Sequence, residues 1–253
     1  MLQERRSKII SKLKQNNIVK VSELMDDFGV SIETIRRDLE YLEKHDYLKR
    51  VYGGAVLHGL NTEEPAYARR EITHYEEKKA IATRTAEFIN DGDTIFVDVG
   101  TTTLEVMRAL KSKNNLTVIT NSTLSAQAAT ENTSNRVILL GGELRHGDLS
   151  VSGYLCDNCL ENFYANKALI GAGGIALENG ITDYHLAEAN TRRIMIEHSE
   201  KVIVVADASK FGVVAMNRVC PLDRIDILVT DSSLGKADVE NYRSLGLTVL
   251  IAE

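Results

Sequence analysis

The chain has 253 residues, 43% of them hydrophobic, and a formal net charge of −6 at pH 7; it can bury one large core or two smaller ones, and it does not coat itself in nucleic acid through bulk positive charge. The balance is uneven: residues 1–58 hold 11 Lys+Arg against 9 Asp+Glu, a net of +2, and the remaining 19 and 27 leave −8 in residues 59–253. Three cysteines in a chain of this length make no disulfide framework, and no apolar run approaches the roughly 18–20 residues of a membrane span, so a cytoplasmic protein without a membrane partner is expected. Cys156 and Cys159, in C-D-N-C, have zinc or redox spacing, but a structural zinc needs four ligands and no second pair follows; no metal is expected.

From Gln3 to Asn16, Ile9, Ile10 and Leu13 recur at helical spacing, with basic residues on the other faces. The next helix is short. Ser22 can cap it, Leu24, Met25 and Phe28 form its apolar face, and Gly29 ends it in a position suited to a left-handed turn. Ser31 then caps a third helix, in which Ile35, Leu39 and Leu42 make one buried stripe and Thr34, Arg36, Arg37 and Glu40 lie off it. Helix, Gly-containing turn and capped second helix is the helix-turn-helix pattern, whose second helix enters a DNA major groove. Arginine suits that position because its fork matches both guanine O6/N7 and phosphate. Two β-prone runs, Tyr47–Tyr52 and Ala55–Leu57, joined at Gly53-Gly54, predict a hairpin that carries Lys49 and Arg50 as a wing. The expected contacts to double-stranded operator DNA are Ser31, Thr34, Arg36, Arg37, Lys49, Arg50, Tyr52 and Gly53. Asp38 is expected to orient an arginine or pair with a neighbouring helix instead of facing DNA.

The segments R-S-K-I-I-S-K-L, S-I-E-T-I-R-R-D-L and L-K-R-V-Y-G-G-A resemble the DNA-binding signature of the deoxyribose-operon-repressor (DeoR) type of bacterial transcription regulator. The match runs through Arg5, Ile9, Leu13, Ser31, Thr34, Ile35, Arg36, Arg37, Asp38 and Leu39 without a departure.

Residues 59–74, with Gly59, Pro65 and no sustained periodicity, are expected to be a linker between a head (1–58) and a second domain (75–253). A helix is expected from Tyr75 to Asn90, with Ile81, Ala82, Thr85, Ala86 and Ile89 inside and Glu76, Lys78, Lys79 and Arg84 outside. Seven short β-branched runs follow: T-I-F-V-D-V, L-T-V-I-T, R-V-I-L-L, K-A-L-I-G, K-V-I-V-V-A, I-D-I-L-V-T and L-T-V-L-I-A. They read as strands buried on both faces, and with helical stretches between several of them the domain is α/β with a mainly parallel sheet.

Ligands of such sheets gather where strands end and helices begin. At D-V-G-T-T-T, Gly100 permits close backbone approach, Thr101, Thr102 and Thr103 offer hydroxyls and amides at a helix N-terminus, and Asp98 can accept from sugar hydroxyls. Further strand ends supply Asn121 in T-N-S, Gly142 in G-G-E, Gly174 in G-A-G-G, Asp183 in G-I-T-D and Lys210 in D-A-S-K. Together they describe a small-molecule pocket rich in donors, without a Walker or dinucleotide fingerprint. I-T-N-S, L-L-G-G-E-L and A-D-A-S-K-F-G resemble the effector-binding half of the same family, a half similar in fold to ribose-5-phosphate isomerase. The resemblance implies that Gly100–Thr103 hold phosphate, that Lys210 lies in the same pocket, and that the effector is a phosphorylated sugar or sugar alcohol with no further cofactor. Turnover is not expected. Isomerisation needs a carboxylate base, and where the isomerase carries one this chain has A-N-T-R-R-I; Glu188 or Asp183 would have to substitute. The expectation is therefore a homo-oligomeric, sugar-phosphate-responsive repressor, with an isomerase bearing a DNA-binding head as the alternative.

Overall fold

The computed structural model describes residues 2–16, 18–44, 47–51, 53–57, 60–61 and 64–253. The chain divides into two compact units, Met1–Asn61 and Thr62–Glu253.

The first unit consists of helices α1 (Leu2–Asn16), α2 (Val21–Phe28) and α3 (Ile32–Lys44), with strands β1 (Ile18–Lys20), β2 (Leu48–Val51) and β3 (Gly54–Leu57). Ile9 and Leu13 of α1, Leu24 of α2, and Ile35, Leu39 and Leu42 of α3 close on one core with Leu48 and Ala55. The expected apolar stripe of the third helix is thus the buried one. Gly29 ends α2 with φ 61, in the left-handed region where a Cβ is costly, and its N–H donates to Met25 O at 2.9 Å. Ser22 does not cap α2: the helix starts at Val21 after Lys20, with no side-chain cap. The hairpin of β2 and β3 is antiparallel, and β1, too short to stand out in the sequence, adds on the other side of β3. Gly54 is required there, because an added Cβ would collide with Val19 O of β1. This is a winged helix-turn-helix. Tyr52 and His58 lie outside the described residues.

In the second unit all seven expected strands form one parallel sheet. Across it they run Thr248–Ala252, Ile227–Asp231, Ser199–Val205, Ala165–Ile170, Thr94–Val97, Thr117–Thr120 and Arg136–Leu139. The central strands are buried on both faces, which is why their sequences are nearly continuously apolar. Phe96, Ile119, Ala168 and Val204 pack on one side with helices α8 (Tyr154–Leu160), α9 (Leu186–Glu197) and α10 (Lys236–Ser244). Ile95, Val97, Val118, Leu169 and Ile203 pack on the other with α5 (Tyr75–Ala86), α6 (Thr101–Ala109) and α7 (Thr123–Thr130). Cys156 of C-D-N-C is wholly buried in the first of these layers, and burial pushes its thiol up to about 12.

The strand order reverses between Thr94–Val97 and Ala165–Ile170: from the first of these, the chain builds outward to one edge, then returns and builds to the other. The ends of those two strands therefore part into a crevice, the place where doubly wound sheets bind ligands. The stretch expected to be a linker contains helix α4 (Tyr67–Ile72), and α5 ends at Ala86 instead of Asn90.

Candidate functional site

In the head, Ser31 caps α3 as expected: its Oγ accepts from Thr34 N at 3.4 Å and lies 3.0 Å from the Thr34 hydroxyl. One turn on, Arg36 and Arg37 are exposed. Among the described residues Arg37 reaches only Glu33, at 3.8 Å with both side chains largely in water, a pair worth little. Arg36 has no ion pair among the described residues. Asp38 is the reverse case. It is 1% exposed and accepts from Arg5 Nε at 2.6 Å and Arg6 Nε at 2.8 Å, clamping α3 to α1, while the Arg6 guanidinium lies 3.6 Å over the Tyr41 ring. In the wing Lys49 is exposed, Gly53 makes the turn at φ 83, and Arg50 is tied back to Glu43 by its amide at 2.8 Å and its Nε at 2.6 Å. Of the expected DNA contacts, Arg36, Arg37 and Lys49 are the cations left pointing into solvent or held only weakly.

In the second unit a cavity of about 280 Å³ opens at the switch point. Val99 to Thr103 and Gly171 to Gly173 line it from the two parting strands. Gly100 precedes α6 without a side-chain cap, so the amides of the first turn are left for a ligand, and the helix dipole adds to their pull on an anion. Thr103 donates its hydroxyl to Gly100 O at 3.0 Å and steadies the turn. Lys210 and Asp183 line the same cavity, as expected. Lys210 is half-buried, and burial lowers its ammonium below the ordinary value, opposed by the nearby Asp207 carboxylate.

Four expected pocket residues, Asp98, Asn121, Gly142 and Gly174, do not line the cavity. Gly142 (φ 146) is glycine because a Cβ would come within 2.7 Å of Ser152 O, and at Gly174 a Cβ would collide with Val213 O; both are close-packing positions. Asn121 is buried and donates to Val151 O at 3.3 Å. Asp98 is also displaced from its expected role. It is wholly buried, and its Oδ2 accepts from Gly171 N at 3.0 Å and Arg192 Nε at 2.5 Å, so it stitches the two central strand ends together behind the cavity wall. Burial raises its carboxyl above the usual range against the pull of Arg192.

Arg192 is the residue that sequence reading missed. Nearly buried in α9, it lines the cavity and binds Asp98, Asp183 and, at 3.6 Å, Glu188. Burial penalises the guanidinium, but three carboxyl groups around it hold its proton well above the ordinary value. Among those acids, burial first and Asp183 next push Glu188 up to about 8, while Arg192 and Arg145 oppose the rise; Asp183, paired directly with Arg192, is held below the usual range despite its burial.

Lys78 is a second omission and a correction. Expected outside, it is 3% exposed: its Nζ turns under the end of α4 and donates to Arg70 O and, at 2.7 Å, to Thr73 O. Burial lowers its ammonium, and Lys210 and Arg70 lower it further. Lys78 lines the cavity together with Glu64, Arg69, Arg70 and His74 from the stretch expected to be a linker. No sequence signal marked these residues, because α4 is short and has no buried face.

A winged helix-turn-helix together with a parallel α/β domain that carries a cation-lined cavity defines a transcription regulator with a ligand-sensing domain. Residues 5–59 match the DeoR-like helix-turn-helix domain and residues 73–232 the DeoR C-terminal sensor domain. The chain belongs to the DeoR family of DNA-binding transcriptional regulators. It is 36% identical to the HTH-type transcriptional regulator GolR of Listeria innocua, covering 99% of this chain and 98% of that protein. It is 35% identical to the glycerol-3-phosphate regulon repressor of Escherichia coli K12, over 90% of each chain. With the repressor GlcR of Bacillus subtilis it shares 33% identity, over 99% of this chain and 96% of the other. A ribose 5-phosphate isomerase A from Neisseria gonorrhoeae aligns with 56% of this chain and 55% of its own at 21% identity, with a TM-score of 0.42.

Proposed function

We propose that the protein represses a carbohydrate operon in the cytoplasm and that a phosphorylated sugar or sugar alcohol bound in the switch-point cavity controls it. The observation that carries this reading is the make-up of the cavity. Arg69, Arg70, Lys78, Arg192 and Lys210 outnumber Glu64, Asp183 and Asp207 around an uncapped helix N-terminus. A phosphate fits the amides of Thr101–Thr103 and the two lysines. A volume of about 280 Å³ suits a small polyol and is tight for a nucleotide. The relatives named for glycerol 3-phosphate and for repression agree with this reading.

Arg36, Arg37 and Lys49 are proposed as the contacts to operator DNA, with Ser31 and Thr34 holding the start of α3 and Gly53 the tip of the wing. One head touches few bases, so a homo-oligomer on a symmetric operator is proposed. The effector would then favour the arrangement of heads that fits the operator less well. The isomerase reading is disfavoured by the placement of both candidate bases: Glu188 is not among the residues that line the cavity, and Asp183 is held by Arg192.

Thermal unfolding against a panel of sugar phosphates and their dephosphorylated counterparts tests the proposal, since a ligand of the folded state raises its apparent stability. A phosphorylated member is expected to raise the transition and Thr102→Ala with Lys210→Ala to remove the rise. A panel without effect, or a shift that survives in the double variant, would sink it.

A further inference from the structure

Most acids at the cavity have a structural partner: Asp183 is bound to Arg192, and Asp207 caps the turn of Ala208–Lys210 by accepting from Ser209 N at 3.0 Å. Glu64 is different. Its side chain is 13% exposed, and one carboxylate collects three cationic or ring nitrogens from separate parts of the fold: Arg70 Nη1 at 2.9 Å, His185 Nε2 at 3.1 Å and Arg145 Nη2 at 3.4 Å. Arg70 in turn is directed by Pro65 O, which accepts from its Nε at 3.0 Å. Glu64, Pro65 and Arg70 all line the cavity. Arg70 therefore presents its guanidinium to a carboxylate at the position where an anionic ligand would look for it. Guanidinium forks bind carboxylate and phosphate with the same geometry.

We propose that Glu64 is a built-in competitor for the effector's anionic group, so that the Glu64–Arg70 pair and an anion on Arg70 exclude each other. This rests on the cavity being the effector site. Displacing Glu64 frees the stretch of chain that begins the second unit, three residues after Asn61 ends the first. Lys78, which donates to the carbonyls of Arg70 and Thr73, holds the rest of that stretch against α5. Competition at Arg70 thus gives ligand binding a specific mechanical consequence at Glu64, and it makes Glu64 a determinant of effector affinity by opposing the ligand.

The test is calorimetric titration of inorganic phosphate into the full chain and into Glu64→Gln and Glu64→Asp. Gln removes the charge; Asp keeps it but, one methylene shorter, withdraws it from Arg70. Both variants are expected to bind phosphate roughly fivefold more tightly, the scale of releasing a partly exposed ion pair. Unchanged or weaker binding in both would overturn the inference, weaker binding meaning that Glu64 supports the ligand instead of opposing it. Tightening in Glu64→Gln alone would also overturn it, since simple repulsion at a distance would then suffice. A parent chain that binds no phosphate overturns the cavity reading and this inference with it, whereas a parent that binds and variants that match it overturn this inference alone.

Discussion

Replacing Arg192 with Met tests the central claim about how the sensor is built. The guanidinium lies against Asp98 at 2.5 Å, Glu188 at 3.6 Å, Asp183 and, at 3.5 Å, Val99 O, in a place where the arginine and all three acids are almost wholly buried. Met fills similar space, so the cost comes chiefly from stranding acids. Removing one partner of a buried pair costs roughly 3–5 kcal/mol. Some of that is recovered when the acids take up protons. For a domain of this size the loss corresponds to a transition about 6 to 20 °C lower. Hydrogen exchange read peptide by peptide separates the sensor from the head, which should be unaffected. The pH dependence is the sharper criterion. Without Arg192 the folded state keeps protons on acids that the unfolded chain would release. The variant's stability therefore falls as pH rises, and its deficit against the parent should be smaller at pH 5 than at pH 8. A deficit below about 1 kcal/mol, or one independent of pH, would refute the argument that Arg192 compensates buried charge.

Glu188→Gln isolates one member of that network. Folding raises the Glu188 carboxyl from its ordinary 4.5 to about 8, so its contribution to stability is complete below about 4.5 and is lost as pH rises through about 8. The parent should lose stability relative to Glu188→Gln across that window in matched melting curves; parallel curves would show that the group does not titrate there. In the head, Arg36→Ala should weaken operator binding by about 1–3 kcal/mol if Arg36 pairs with a guanine, and the loss should depend on the base substituted. Equal affinity across operator variants removes it from readout. Gly54→Ala should destabilise the wing by roughly 1–3 kcal/mol, because Val19 O is backbone of a paired strand and cannot yield cheaply. A melting temperature of the head within a degree of the parent's would contradict the close approach.

What was legible in the sequence was whatever the backbone itself demands. The seven strands announce themselves because burial on both faces makes T-I-F-V or K-V-I-V-V-A apolar throughout. The stripe of Ile35, Leu39 and Leu42 fixes which side of α3 is free, and with it Arg36 and Arg37. The loop Gly100–Thr103 is readable because a strand end, a glycine and a run of threonines at a helix start have one common use. Glycine was less reliable elsewhere. Gly142 and Gly174 also stand at strand ends, but there the missing Cβ makes room for Ser152 O and Val213 O, not for a ligand, and sequence alone does not tell one vacancy from the other.

The illegible part consists of side chains whose meaning depends on a partner far away along the chain. On the helical wheel of α5, Lys78 belongs with Glu76 and Lys79 outside; it is buried because the end of α4 offers two carbonyls to its ammonium, and nothing in Y-E-E-K-K-A encodes that meeting. Arg192 and Arg193 look alike in sequence, yet the first lies among three acids and the second donates to Val219 O and the carbonyl of Arg218. Arg36 and Arg37 show the converse, a doublet that looks unusual and owes its freedom to Asp38, which engages the arginines of α1 and leaves these two without a buried acid. Pairs of arginines are thus sorted into structure and surface by the positions of acids: Asp38 draws in Arg5 and Arg6, Asp98 and Asp183 draw in Arg192, and Glu64 holds Arg70 at a cavity wall where, on the inference above, a ligand can take it back.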